Sequence, residues 1–149
     1  MHGKGYSDPK ERNIALKATI IVIDDDPGVR ETLLELLGKT GAGYNLQTFD
    51  CAADAGIHLL NDPASVDLIL LDFHMEDTGV NGDQLYVCIR KMHTQVSRVP
   101  VIFLTSESRR DEVARLIRLG SDDFILKPFD NKELLDRIKK CLRKRREGI

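Results

Sequence analysis

Four short apolar runs punctuate the chain: Thr19-Ile20-Ile21-Val22-Ile23, Asp67-Leu68-Ile69-Leu70-Leu71, Val99-Pro100-Val101-Ile102-Phe103-Leu104 and Asp123-Phe124-Ile125-Leu126. Each is too short for a core helix and rich in Ile, Val and Leu, the pattern of a strand covered on both faces of a parallel sheet. A further, less apolar strand is predicted at Asn45 to Phe49. Between these runs the apolar positions recur at helical spacing. Val29, Leu33, Leu36 and Leu37 form the stripe of a first helix, opened by Asp26-Pro27 and ended by Gly41-Ala42-Gly43. A second helix starts at Asp50 or Cys51, runs to about Asn61 and is stopped by Pro63. A third begins near Gly82 with Leu85, Ile89 and Met92 inward. A fourth begins near Ser106 with Val113, Leu116 and Ile117 inward, and ends at Gly120. The fifth opens with the capping box Asp130-Asn131-Lys132-Glu133 and buries Leu134, Ile138, Cys141 and Leu142.

Strand and helix therefore alternate, and parallel strands need right-handed helical crossovers that cover both sheet faces. The fold class expected is α/β: a doubly wound five-stranded parallel sheet in the flavodoxin-like order 2-1-3-4-5, with five helices. That order puts the ligand crevice between strands one and three, where the strand ends deliver polar groups. The first apolar run is followed by Asp24, Asp25 and Asp26, the second by Asp72, the third by Thr105-Ser106 and the fourth by Lys127-Pro128-Phe129. Carboxylates gathered at one sheet edge suggest a cation site. Together with a hydroxyl and a lysine, they are the parts needed to hold a phosphoryl group beside a divalent metal.

The segments Ile23-Asp24-Asp25-Asp26-Pro27, Leu71-Asp72-Phe73-His74-Met75, Leu104-Thr105-Ser106-Glu107 and Leu126-Lys127-Pro128-Phe129 are similar to the four motifs of the receiver domain of two-component response regulators, a CheY-like superfamily. The resemblance runs over about residues 19–142. It implies that Asp72 accepts the phosphoryl group, that Asp25 is a direct metal ligand, and that Asp24 holds the ion directly or through water. Asp72 and the backbone carbonyl of His74 complete the protein ligands of Mg²⁺ or Mn²⁺; few suffice, because Mg²⁺ retains several waters. Asp26, next to Pro27, is expected to cap the first helix instead. The resemblance further implies that Lys127 pairs with Asp72 or a transferred phosphoryl oxygen, aimed inward by a cis Lys127-Pro128 bond. Thr105 would hydrogen-bond a phosphoryl oxygen and pull the following loop toward the site. Phe124 matches the switch aromatic, with a plain core role as its rival; His74 and Glu107 stand where receivers tune phosphoryl lifetime. One departure stands out: Met75 is followed by Glu76-Asp77-Thr78-Gly79-Val80-Asn81-Gly82, a longer loop than the family's, whose two added acids either approach the metal, rim the site or stay solvated.

Composition narrows this picture only a little. At 149 residues the chain fits one domain, and its formal net charge of −2 implies no general attraction to nucleic acid. No apolar stretch approaches a membrane span, and the first hydrophobic run stops at Asp24 rather than forming a signal peptide, so a cytoplasmic location is expected. Cys51, Cys88 and Cys141 lack metal-ligand spacing and read as reduced, partly buried thiols; His58 and His93 read as surface residues. Residues 1–18 are a polar tail or a short helix at Asp8-Pro9-Lys10-Glu11, and residues 143–149 are a basic end that either favours a helix C-terminus or begins a linker to an output module. The expected function is a phosphorylation-controlled switch, not a conventional enzyme. Its phosphodonor would be a sensor histidine kinase or histidine phosphotransfer protein. Its output surface, for a homodimer or a downstream protein, would be helix four, strand five and helix five. Two rivals are an interaction-only pseudo-receiver and a Mg²⁺-dependent phosphohydrolase of small phosphate esters; against the latter, Asp24-Asp25-Asp26-Pro27 lacks the Asp-x-Asp spacing of such enzymes.

Overall fold

The computed structural model describes residues 17–63, 66–75, 78–106 and 109–146. The helix considered at Asp8 to Glu11 lies outside these residues. Five parallel strands form one sheet in the order β2-β1-β3-β4-β5: β1 (Thr19–Ile23), β2 (Asn45–Phe49), β3 (Leu68–Asp72), β4 (Val101–Ser106) and β5 (Asp123–Lys127). Every residue of β1 and β3 is buried, as their uninterrupted apolar runs require. The less apolar β2 and β5 stand at the two edges. Strand boundaries shift by a residue or two from the sequence reading, so that β3 ends on Asp72 itself and β4 begins after Pro100.

Side-chain alternation along the strands splits the apolar residues between two cores. Ile21, Ile23, Ile69, Leu71, Val101 and Phe103 pack with α2 (Ala52–Asn61), α3 (Gly82–Arg90) and Leu116 of α4 (Arg110–Leu119). Ile20, Val22, Leu68, Leu70, Ile102 and Leu104 pack with Leu33 and Leu37 of α1 (Pro27–Gly38) and with Leu134, Ile138 and Leu142 of α5 (Asn131–Arg146). Truncating one such aliphatic side chain to alanine costs about 2–5 kcal/mol, so the strand ends rest on a rigid frame.

The helix starts follow their caps. Asp26 Oδ1 accepts the Gly28 N–H at 2.8 Å, the expected capping role. Asp130 Oδ1 likewise accepts from the Lys132 and Glu133 N–H groups at 2.8 and 3.1 Å, while Glu133 pairs with Arg137 rather than returning a cap bond. The fourth helix differs from expectation. It starts at Arg110 rather than near Ser106, and its inward stripe is Glu112, Leu116 and the half-buried Leu119, leaving Ile117 67% exposed. Gly120 ends it in the left-handed conformation, with φ of 69°, as a C-terminal glycine does. Met92 lies beyond the end of α3 but still packs on the core.

Two arginines tie the layers together. Arg90 donates to the Ser97 and Val99 carbonyls, pairs with Asp122 and lies over the Tyr86 ring, joining α3 to the entries of β4 and β5. Arg145, in the basic end of α5, donates to Asp67 Oδ1 at 3.3 Å and to the Val66 carbonyl at 3.1 Å, so this part of the basic end anchors the helix to the entry of β3. His58 is a second correction. It is half-buried against Phe49, with ring centroids 5.2 Å apart, and its Nε2 is buried, because α2 leans on the edge strand there.

Candidate functional site

The C-terminal ends of β1, β3 and β5 bring three of the expected groups into direct contact. Asp24 is fully buried and held from every side: its N–H donates to the Phe49 carbonyl at 3.1 Å, its own carbonyl accepts from Arg30 at 2.8 Å, and its Oδ1 accepts the Asp26 N–H at 2.9 Å. Its other oxygen, Oδ2, accepts from Lys127 Nζ at 2.8 Å. The same ammonium donates to Asp72 Oδ1 at 3.1 Å. Lys127 therefore bridges the acids ending two different strands, and the Lys127-Pro128 bond that follows is cis, as expected.

Asp25 completes a cluster in which one carboxylate oxygen each from Asp24, Asp25 and Asp72 lies within 4.8 Å of the others. Among the described residues of the cluster three carboxylates face one ammonium, and the consequence shows at Asp72. Burial raises the Asp72 pKa from 3.8 to about 7, with the Asp24 charge adding to it and Lys127 only partly offsetting it. Burial works against the Lys127 charge, but the hydrogen bond to Asp24 and the charge of Asp72 outweigh it and hold its pKa above the ordinary lysine value. An all-oxygen anionic donor set, partly buried and short of positive charge, fits a hard divalent cation such as Mg²⁺ or Mn²⁺.

The loop after β3 is built around Asp72. A Cβ placed on Gly82 would stand 2.1 Å from the Asp72 carbonyl oxygen, so only glycine lets α3 start this close to the strand end. Gly82 N–H donates to the Phe73 carbonyl at 2.8 Å, and Asn81 Oδ1 accepts the Met75 N–H at 2.8 Å. Thr78 Oγ1 donates to the Met75 carbonyl at 2.7 Å, tying the described part of the lengthened loop back on itself. Glu76, Asp77 and the tuning candidate Glu107 lie outside the described residues.

Thr105 is buried at the end of β4, one position past Leu104, the register partner of Asp72. Its hydroxyl donates to Glu112 Oε1 at 2.9 Å, and His74 Nδ1 lies 3.0 Å from the other oxygen of that carboxylate. Phe124 is half-buried, opposite Phe103 in the sheet register, and packs against the core on the α2–α4 face. Sequence reasoning did not single out Glu112 or Arg30, and named Asn81 and Gly82 only as the end of a loop and the start of a helix. For Glu112 the sequence offers only its place one turn before Leu116, where Val113 and Ile117 fit a helical stripe equally well.

With this geometry in view, the similarities to known proteins are specific. A profile of the response regulator receiver domain matches residues 20–139. Transcriptional regulatory protein GltR of Pseudomonas aeruginosa is 38% identical over 128 residues, covering 85% of this chain and 49% of that protein. Phosphate regulon transcriptional regulatory protein PhoB of Escherichia coli is 32% identical over 126 residues, covering 84% of this chain and 52% of that protein. The chain thus spans about half the length of these curated relatives. Among solved structures, the receiver domain of NtrX from Brucella abortus superposes with a TM-score of 0.72 at 25% identity, over 83% of this chain and 98% of that one. A putative response regulator from Chloroflexus aurantiacus superposes with a TM-score of 0.75 at 25% identity, over 85% and 98% of the two chains. In sheet order, strand-end chemistry and sequence alike, the chain belongs to the response regulator receiver domain family.

Proposed function

We propose that this domain is a phosphoryl-accepting switch in which Asp72 takes a phosphoryl group from a phosphohistidine of a sensor histidine kinase or phosphotransfer protein. The observation that carries this reading is Lys127 bridging Asp24 and Asp72, with Asp25 completing the carboxylate cluster. An Asp72 carboxylate oxygen attacks phosphorus, the phosphorus–nitrogen bond breaks, and the departing imidazole keeps the bonding pair and takes up a proton. The raised pKa of Asp72 means that the bare site holds much of this carboxyl protonated near neutral pH. A divalent cation held by Asp24, Asp25, Asp72 and the His74 carbonyl would supply the positive charge that favours the ionised nucleophile and the incoming phosphoryl oxygens. Lys127, already on Asp72 Oδ1, is placed to follow the charge as it moves onto those oxygens.

The transferred charge is read, on this proposal, through Thr105 and Phe124 by the surface of α4, β5 and α5, where a second copy or a downstream partner binds. The relatives are named as transcriptional regulatory proteins, and this chain spans about half of each, which supports an output in gene regulation. The residues 19–142 are then the receiving unit, working in the cytoplasm. Incubation with acetyl phosphate and Mg²⁺ tests the reading by intact mass. The wild type gains one phosphoryl group and Asp72→Asn gains none; the same adduct on the variant would move the acceptor elsewhere.

A further inference from the structure

Glu112 is a charged residue where its helix should be apolar, and its surroundings make it a competitor for the Thr105 hydroxyl. It is 5% exposed. A carboxylate so far from water persists only where donors reach it. Here they reach both oxygens: Thr105 Oγ1 lies 2.9 Å from Oε1, while His74 Nδ1 lies 3.0 Å and Arg109 Nε 3.7 Å from Oε2. The contacts join the residue two places beyond Asp72, the hydroxyl at the end of β4 and the entry to α4.

A threonine hydroxyl has one proton to donate. In this conformation that proton points at Glu112, so it is not available to a phosphoryl oxygen on Asp72. A second acid with this grip on the hydroxyl must lose it before the new charge on Asp72 can claim it. We propose that Glu112 is a positioning residue that holds Thr105 and the start of α4 in the resting arrangement, and that occupancy of Asp72 switches the domain by drawing the hydroxyl off Glu112. This inference rests on the reading of Asp72 as the phosphoryl acceptor. It locates the restraint that makes two arrangements of Thr105 discrete, which a switch needs. It also gives His74 a structural part in the resting state, through the same carboxylate.

The consequence is that weakening Glu112 as an acceptor favours the occupied arrangement before any phosphoryl group arrives. Beryllofluoride, a mimic of the phosphoryl group, is titrated with Mg²⁺ into wild type, Glu112→Gln and Glu112→Met, each also in a Thr105→Val background, and followed by amide shifts. Glu112→Gln is nearly isosteric and carries the test if Glu112→Met does not fold. The expected result is binding tightened about 3- to 10-fold in the Glu112 variants, since a charged acceptor is replaced by a weaker one. The gain disappears in the Thr105→Val background. Amides of α4 in the ligand-free variants lie part-way between the free and bound wild-type positions. Equal or weaker binding by a folded Glu112→Gln, or an undiminished gain without the Thr105 hydroxyl, overturns the restraint. A wild type that binds no beryllofluoride would instead remove the Asp72 reading, and this inference with it.

Discussion

Asp72→Asn removes a titration that the fold makes unfavourable, and its effect can be worked out. The Asp72 carboxyl titrates near 3.8 in an unfolded chain and at about 7 in the metal-free fold, because it is buried beside Asp24. Well below pH 3.8 both states are protonated and the group leaves stability unchanged. Between the two values the folded state holds a proton that the unfolded state has released, so stability falls as pH rises, and the loss is complete above about pH 7. The rise from 3.8 to about 7 corresponds to roughly 4 kcal/mol at the alkaline end. The raised pKa of Lys127 adds no slope here, since that group gives up its proton only at far higher pH. Asparagine keeps an oxygen for Lys127 and nearly the same volume but carries no proton to lose. In EDTA, the advantage of Asp72→Asn over wild type should therefore grow by about 2–3 kcal/mol from pH 5 to pH 7, then level off. Urea denaturation at each pH measures it directly. In melting curves the growth amounts to roughly 5–10 °C, at about 2–4 °C per kcal/mol for a chain of this size. Two pH profiles that run parallel would mean that burial and Asp24 do not hold the carboxyl protonated.

Two further outcomes follow from the same site. Mg²⁺ at about 100 times its dissociation constant should stabilise the wild type by about 2.7 kcal/mol, and Asp25→Ala should lose most of that gain; a melting temperature indifferent to Mg²⁺ would rule out the metal site. Gly82→Ala should destabilise the domain by about 3 kcal/mol or more, because the clash is with the Asp72 backbone and not with a flexible side chain, and a urea midpoint near that of wild type would show that α3 can move away.

The strand ends were readable in the sequence because two signals coincide there. An apolar run buried on both faces stops abruptly on a polar residue, and the doubly wound order then converges Asp24, Asp72 and Lys127 although they are far apart in the chain. Helix caps were readable where a short polar side chain precedes proline, as at Asp26. The start of α4 was not. Val113 and Ile117 fit a helical stripe as well as Leu116 does, and only the burial of Glu112 beside Leu116, with Ile117 exposed, shows that the stripe runs through Glu112 instead. Glu112 itself escaped because a glutamate in an amphipathic helix reads as solvated, and its partners Thr105 and His74 come from other segments. His58 escaped for a related reason: the contact that half-buries it comes from Phe49 on the edge strand, which no local pattern indicates.

Whether Asp72 carries the phosphoryl group is tested at the residue itself by borohydride trapping. Treatment with acetyl phosphate and Mg²⁺ followed by borohydride reduces an aspartyl phosphate to homoserine, which peptide mapping by mass spectrometry then locates. Homoserine is expected at position 72 and at no other aspartate, appearing only when donor and metal are both present. Homoserine at Asp24 or Asp25, or none under conditions where the domain is folded and metal-loaded, would contradict it.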